Sequence, residues 1–193
     1  MQKVTPNSNI QPGDLVLAHS RGAFAVLIRF GQWLRPSWRP WKRWNHTAIV
    51  VGIRNDGKIR CMQMGRRGEI VDIDEVSPKG YYIVRSCPKG VDRVKAVDYA
   101  LRQNGIKYSV ATIFSIALTL LTPKIVAFDF RRRGNALICS ALVARSWEHG
   151  GWLCPSDPFQ ITPAELAWIT QPKGQLPGRS RNSKPTLSSP TPR

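Results

Sequence analysis

Two side chains in this sequence have both the type and the setting to do chemistry: a cysteine at a helix start and a histidine at a strand start. In the stretch 134–151, GNALICSALVARSWEHGG, the residues Ile138, Ala141, Leu142 and Ser146 or Trp147 recur at helical spacing. That spacing predicts an amphipathic helix over 139–149. Gly150-Gly151 supplies the left-handed residue on which such helices stop. Cys139 then falls in the first turn, where unpaired backbone N–H groups and the helix dipole favour a thiolate. A thiol in that place is either a small buried residue or a nucleophile. A nucleophilic thiol needs a hydrogen-bonded base, and the base needs a third group to orient it. His46 opens the β-branched run HTAIVVGI, where it is either a satisfied core residue or such a base.

The elements that must bring these two residues together are legible in outline. Pro12-Gly13-Asp14 reads as a turn that Asp14 sets, followed by the short apolar strand Leu15-Val16-Leu17-Ala18. A short helix is expected over 22–34. His46 to Ile53 is a strand, Asn55-Asp56-Gly57 a hairpin turn, and 58–64 the returning strand. On that strand Ile59, Cys61 and Gln63 share one face and Arg60, Met62 and Met64 the other. Residues 69–73 and 81–85 read as two further strands. A helix is expected over 91–104 with Val94, Val97 and Leu101 on its apolar face, and a buried helix over 108–121. Thr162-Pro163-Ala164-Glu165 is a capping box opening a helix to about Ile169. His19 at a strand end and His149 at a helix C-terminus are read as structural or solvent-facing, and Cys61, Cys87 and Cys154 as structural.

At 193 residues and 42% hydrophobic content the chain is long enough for one core-bearing domain, taken as 1–171. Residues 172–193, rich in Pro, Ser, Gly, Arg and Lys, form a basic tail too poor in apolar residues to fold. The formal charge of +17 implies an anionic partner: a cell-wall polymer such as peptidoglycan, an anionic membrane or nucleic acid. The N-terminus lacks the apolar core of a signal peptide, and the run 110–121 is too short to span a bilayer. The expectation is a soluble protein with no encoded export route, cytoplasmic by default, the alternative being delivery to the cell wall by another route. Without such a signal the four cysteines are expected as free thiols. No pair has C-x-x-C spacing and no Cys/His cluster occurs, so neither a metal nor another cofactor is implied.

Four short segments, in order, carry a family likeness. Gly13-Asp14-Leu15 opens the first strand, and Asn45-His46-Thr47-Ala48-Ile49-Val50-Val51-Gly52 is a histidine starting a hydrophobic strand that ends in glycine. Gly105-Ile106-Lys107-Tyr108 is a glycine-to-tyrosine step, and Cys139-Ser140-Ala141-Leu142-Val143 starts a helix. Over about residues 10–170 the chain resembles the circularly permuted, NlpC-type branch of the papain-like thiol hydrolases, the YiiX/YaeF-like group. The resemblance implies an α+β fold, an antiparallel sheet packed against helices, with histidine preceding cysteine. It makes Cys139 the nucleophile, His46 the base that keeps it deprotonated, and Gln63 the third, orienting residue, at a position where relatives carry a polar side chain. Tyr108 joins the substrate-binding set. A neutral amide at Gln63 stabilises imidazolium less than a carboxylate would. Ala141 stands where relatives often have Glu, and the segment 123–137 is longer than usual.

The implied activity is hydrolysis of an amide bond through an acyl-enzyme, with cell-wall peptide as the leading substrate. An acyltransferase or lipid amidase on the same scaffold is one alternative. A non-catalytic basic module that binds nucleic acid or anionic membrane is the other. The segment GQWLRPSWRPWKRW bears on that choice. Trp33, Trp38, Trp41 and Trp44 alternate there with Arg35, Arg39, Lys42 and Arg43, and Pro36 and Pro40 predict a loop. The segment reads as core aromatics with solvated charges between them, as a contact for an anionic surface or as a nucleic-acid stacking platform. The favoured reading is an interaction surface, with Trp38, Arg39, Trp41, Lys42, Arg43 and Trp44 as the expected surface-binding residues.

Overall fold

Four apolar residues after the Pro12-Gly13-Asp14 turn, Leu15–Ala18 (β1), are completely buried because they have a strand on each side and a core on each face. This arrangement comes from a computed structural model that describes residues 10–34, 36–77, 81–107, 138–159 and 161–171. His46–Ile53 (β2) runs antiparallel to β1 with Ala18 opposite His46, and Tyr82–Arg85 (β5) flanks β1 on its other edge with Ala18 opposite Tyr82. Ile59–Met64 (β3) returns from β2 through the Asn55-Asp56-Gly57 turn. There Gly57 takes φ +80°, and the Asp56 carboxylate accepts from the Lys58 amide at 3.1 Å. Gly68–Asp72 (β4) pairs with β3, and the five strands stand in the order β4-β3-β2-β1-β5, every neighbour antiparallel.

Strand alternation sends one set of side chains to each face. Leu15, Leu17, Ile49, Met62 and Met64 meet the main helical layer, whereas Val16, Ala18, Ala48, Val50 and Cys61 meet Ile73 and Val76. These last two lie on a one-turn helix, Ile73–Val76 (α2), whose first residue was expected to be the last of the strand. Asp72 and Glu75 form a reciprocal cap that ends β4 there.

The helical layer comprises Ala23–Leu34 (α1), Arg93–Arg102 (α3), Cys139–His149 (α4) and Pro163–Ile169 (α5). α4 is buried along nearly its whole circumference, from Cys139 through Ala144 and again at Ser146 and Trp147. An amphipathic helix was expected; this one lies between the sheet and the other helices and is buried on nearly all sides. It ends as predicted, with Gly151 at φ +91°. Thr162 caps α5 by accepting from the Glu165 amide at 3.2 Å, while the Glu165 carboxylate takes the Ser156 hydroxyl. The buried Gln32 side chain of α1 binds the Trp44 carbonyl at 3.0 Å and the Ala164 amide at 2.8 Å, tying α1 to α5.

Two expectations need correction. α3 buries Ala96 and Ala100, one residue round from the predicted face, and leaves Val94 79% exposed and Leu101 40% exposed. The orientation is set at the helix start, where the Asp92 amide donates to Gly150 at 2.8 Å and Arg93 pairs with Asp14. Small side chains then let α3 lie close against α4. The second correction concerns the Trp/Arg segment, which forms a 3-10 helix at Pro36–Trp41 where an irregular loop was predicted. Its i→i+3 pattern accepts Pro40 because the turn is short. The predicted helix at 108–121, Tyr108, Arg35 and the tail 172–193 lie outside the described residues. Among the described residues no helix is long and apolar enough to cross a membrane.

Candidate active site

Cys139 is the first residue of α4 and is 3% exposed. Ile138 before it is extended, and no side chain caps the helix, so the first-turn N–H groups keep their positive ends for the thiol's neighbourhood. Burial alone would push this thiol up. The hydrogen bond and charge of His46, followed by the Thr47 amide, outweigh burial and bring it below the ordinary thiol range. The Thr47 hydroxyl is buried and has no hydrogen bond of ordinary geometry, but its dipole also favours the thiolate.

His46 experiences the complementary field. Burial disfavours the charged ring, but the Cys139 contact, the Gln63 hydrogen bond and the charge of Glu69 together raise it above the usual histidine value. Its Nε2 lies 2.8 Å from Oε1 of Gln63. That leaves Nδ1 as the nitrogen for the thiol. His46 is the first residue of β2, at the end of the sheet, so its ring bridges from the start of α4 to the face that carries Gln63.

Register explains why Gln63 is within reach. Ala48 is directly opposite Gln63, so His46, two residues earlier on the same face, is its diagonal neighbour. On the far side Glu69 of β4 is directly opposite Gln63, and Nε2 of Gln63 donates to Oε1 of Glu69 at 3.0 Å. The row His46, Gln63, Glu69 therefore crosses three adjacent strands.

The other three cysteines differ in direction. Burial, with Asp72 nearby, pushes Cys61 up to about 12. Burial also raises Cys87 and Cys154. All four are free thiols, as expected. Among the described residues, no group of three or more His, Cys, Asp or Glu side chains could hold a metal ion.

His46 and Gln63 line a cleft of about 430 Å³ with His19, Ser20, Arg21, Glu75 and Tyr81. His19, expected to be structural or solvent-facing, stands in this wall. Its Nδ1 donates to the Arg43 carbonyl at 2.8 Å, and Arg29 Nη1 lies 3.3 Å from its Nε2. Glu69 and Thr47 were also missed. Glu69 could have been found from the tight turn after Met64, which sets the pairing of β3 with β4.

The expected surface set divides. Trp41 and Trp44, each 5% exposed, belong to the main core and are not surface-binding residues; Trp38 is half-buried against it. Arg39, Lys42 and Arg43 are exposed, with Arg39 stacked 5.2 Å from the Trp33 ring centre and Arg43 4.7 Å from that of Trp44. The exposed apolar side chains here come from α1: Val26, Phe30 and Trp33, the last two stacked at 6.1 Å. Comparison with protein-family models and with curated proteins finds no match to this chain.

Proposed function

We propose that the chain is a thiol-dependent hydrolase of the permuted papain-like kind, cleaving an amide bond through an acyl-enzyme. The observation that carries this reading is the Cys139–His46–Gln63 constellation. Of the four thiols only Cys139 is held below its ordinary range, and it is the one that faces a raised imidazole oriented by an amide. In the proposed cycle the Cys139 thiolate attacks the amide carbon, forming the C–S bond. The His46 imidazolium gives its proton to the departing amine as the C–N bond breaks. Water, deprotonated by His46, then attacks the thioester and releases the carboxylic acid and the thiol. First-turn N–H groups of α4 are the available donors for the developing oxyanion.

Cell-wall peptide is the proposed substrate, because the charge of +17 suits an anionic polymer. An acyl-chain substrate, as for a lipid amidase or acyltransferase, is the second reading. It is supported by the exposed Val26, Phe30 and Trp33 on the helix whose Arg29 reaches His19 in the cleft wall. The two separate by whether water or an added amine or alcohol takes the acyl group.

The test is labelling with iodoacetamide near neutral pH, followed by peptide mapping. Cys139 is expected to react faster than Cys61, Cys87 or Cys154, and His46→Ala to slow it. Cys139→Ala is expected to abolish turnover and leave the fold intact. Equal labelling of all four thiols, with a Cys139→Ala variant that behaves as wild type, would leave a non-catalytic binding module as the reading.

A further inference from the structure

We propose that Glu69 is a positioning residue of this site: it fixes the orientation of the Gln63 amide and thereby the protonated nitrogen of His46. The inference rests on the hydrolase reading above, but its logic is a chain of forced donors and acceptors. A carboxylate only accepts hydrogen bonds, so the Gln63 atom 3.0 Å from Glu69 Oε1 must be the amide nitrogen. Gln63 then presents its oxygen to His46, 2.8 Å from Nε2. An amide oxygen also only accepts, so the proton of the neutral ring must sit on Nε2. Nδ1 is left as the acceptor for the Cys139 thiol. Without Glu69 the Gln63 amide can turn over. It would then offer N–H to Nε2 and favour the tautomer that carries its proton on the wrong nitrogen for a base.

Two features beyond these distances fit a built position. Glu69 lies directly opposite Gln63 in the β3–β4 ladder, so its side chain shares the face of the site. Gly65, in the turn between these strands, leaves the space that the carboxylate fills. A methyl group there would fall on Oε1 of Glu69. A neutral glutamine oriented by a carboxylate supplies part of the charge that an acidic third residue would have brought in directly. The Glu69 charge raises His46 in addition to the hydrogen bond that the ring donates to Gln63.

The test reads Cys139 alkylation against pH in the full-length chain, so it does not depend on knowing the substrate. Glu69→Leu removes both charge and acceptor, while Glu69→Gln keeps the shape and restores a partial acceptor. A charge in direct contact moves a pKa by about one to three units, and Glu69 acts at one residue's remove. The Leu variant is therefore expected to shift the labelling midpoint upward by about half a unit, roughly threefold in rate on the acidic limb. The Gln variant should lie between Leu and wild type. Gly65→Ala, which displaces the carboxylate without deleting it, should shift the midpoint in the same direction. In a Gln63→Leu background Glu69→Leu should shift the midpoint less than it does with Gln63 present, because only the direct effect of its charge on His46 is left. An unchanged midpoint in both Glu69→Leu and Gly65→Ala, with wild-type Cys139 still the fastest thiol, overturns the positioning role alone. A uniform slowing without a midpoint shift, or an equal shift with Gln63 absent, overturns it too. A wild-type Cys139 no faster than its fellows overturns the hydrolase reading instead.

Discussion

His46 stands between a thiol that holds it charged and an interior that would strip its charge. The raised imidazole and lowered thiol have a definite consequence for pH dependence. The ion pair forms as the pH rises through the lowered thiol value and is lost as it rises further through the raised imidazole value. A bell-shaped kcat/KM is expected, its acidic limb below the ordinary thiol value of about 8.5 and its alkaline limb above the ordinary imidazole value of about 6.5. Both limbs belong to the pair rather than to either residue. Gln63→Ala removes the hydrogen bond that favours imidazolium, so the bell should narrow from both sides and kcat should fall by about tenfold. A profile unmoved by that substitution would show that the 2.8 Å contact does not orient the ring.

At the scale of elements, the thiol is only as well placed as α4. The helix is pinned near its C-terminal end by Trp147, whose Nε1 donates to the Gly13 carbonyl at 2.9 Å. The turn that offers this carbonyl is held by Asp14, 2% exposed. Its carboxylate accepts from the Gln11 amide at 3.0 Å, the Cys87 amide at 3.2 Å and Arg93 Nη1 at 2.7 Å. Asp14 was expected to set the turn; it also ties that turn to the chain after β5 and to α3. Asp14→Ala would leave the Gln11 and Cys87 amides without their acceptor and take the anion from Arg93, which keeps only the Pro12 carbonyl at 2.7 Å. The expected loss is about 3 kcal/mol of unfolding free energy, measured by urea titration at pH 7. A loss under about 1 kcal/mol would mean that Trp147 and the core hold α4 without the turn.

At the scale of the whole molecule the dominant fact is charge. Basic side chains exceed acidic ones by 17. Arg39, Lys42 and Arg43 are exposed beside the apolar face of α1, where Phe30 and Trp33 are 48% and 43% exposed. Replacing those three cations with Gln is expected to weaken binding to anionic vesicles or polymer several-fold and to leave small-substrate turnover unchanged. Wild-type binding should also fall as salt rises, because exposed charges are screened over about 8 Å at physiological ionic strength. Sedimentation with vesicles at low and high salt measures both effects. Binding indifferent to salt and substitution would return this surface to a structural role.

The sequence by itself determined the features whose causes are local. The β2–β3 hairpin follows from Asn55-Asp56-Gly57 between two apolar runs. The α4 boundaries follow from periodicity and Gly151, and the α5 start follows from Thr162-Pro163. Cys139 at a helix start and His46 at a strand start were legible for the same reason. Only the tertiary structure decided which face of α3 is buried, that Trp41 and Trp44 belong to the core, and that His19 lines the cleft. It also put Glu69 behind Gln63. Each of these depends on what lies across a strand ladder or against a helix from a distant part of the chain. Periodicity shows that an element has a face to cover, but the register and neighbouring elements decide which side chains meet there.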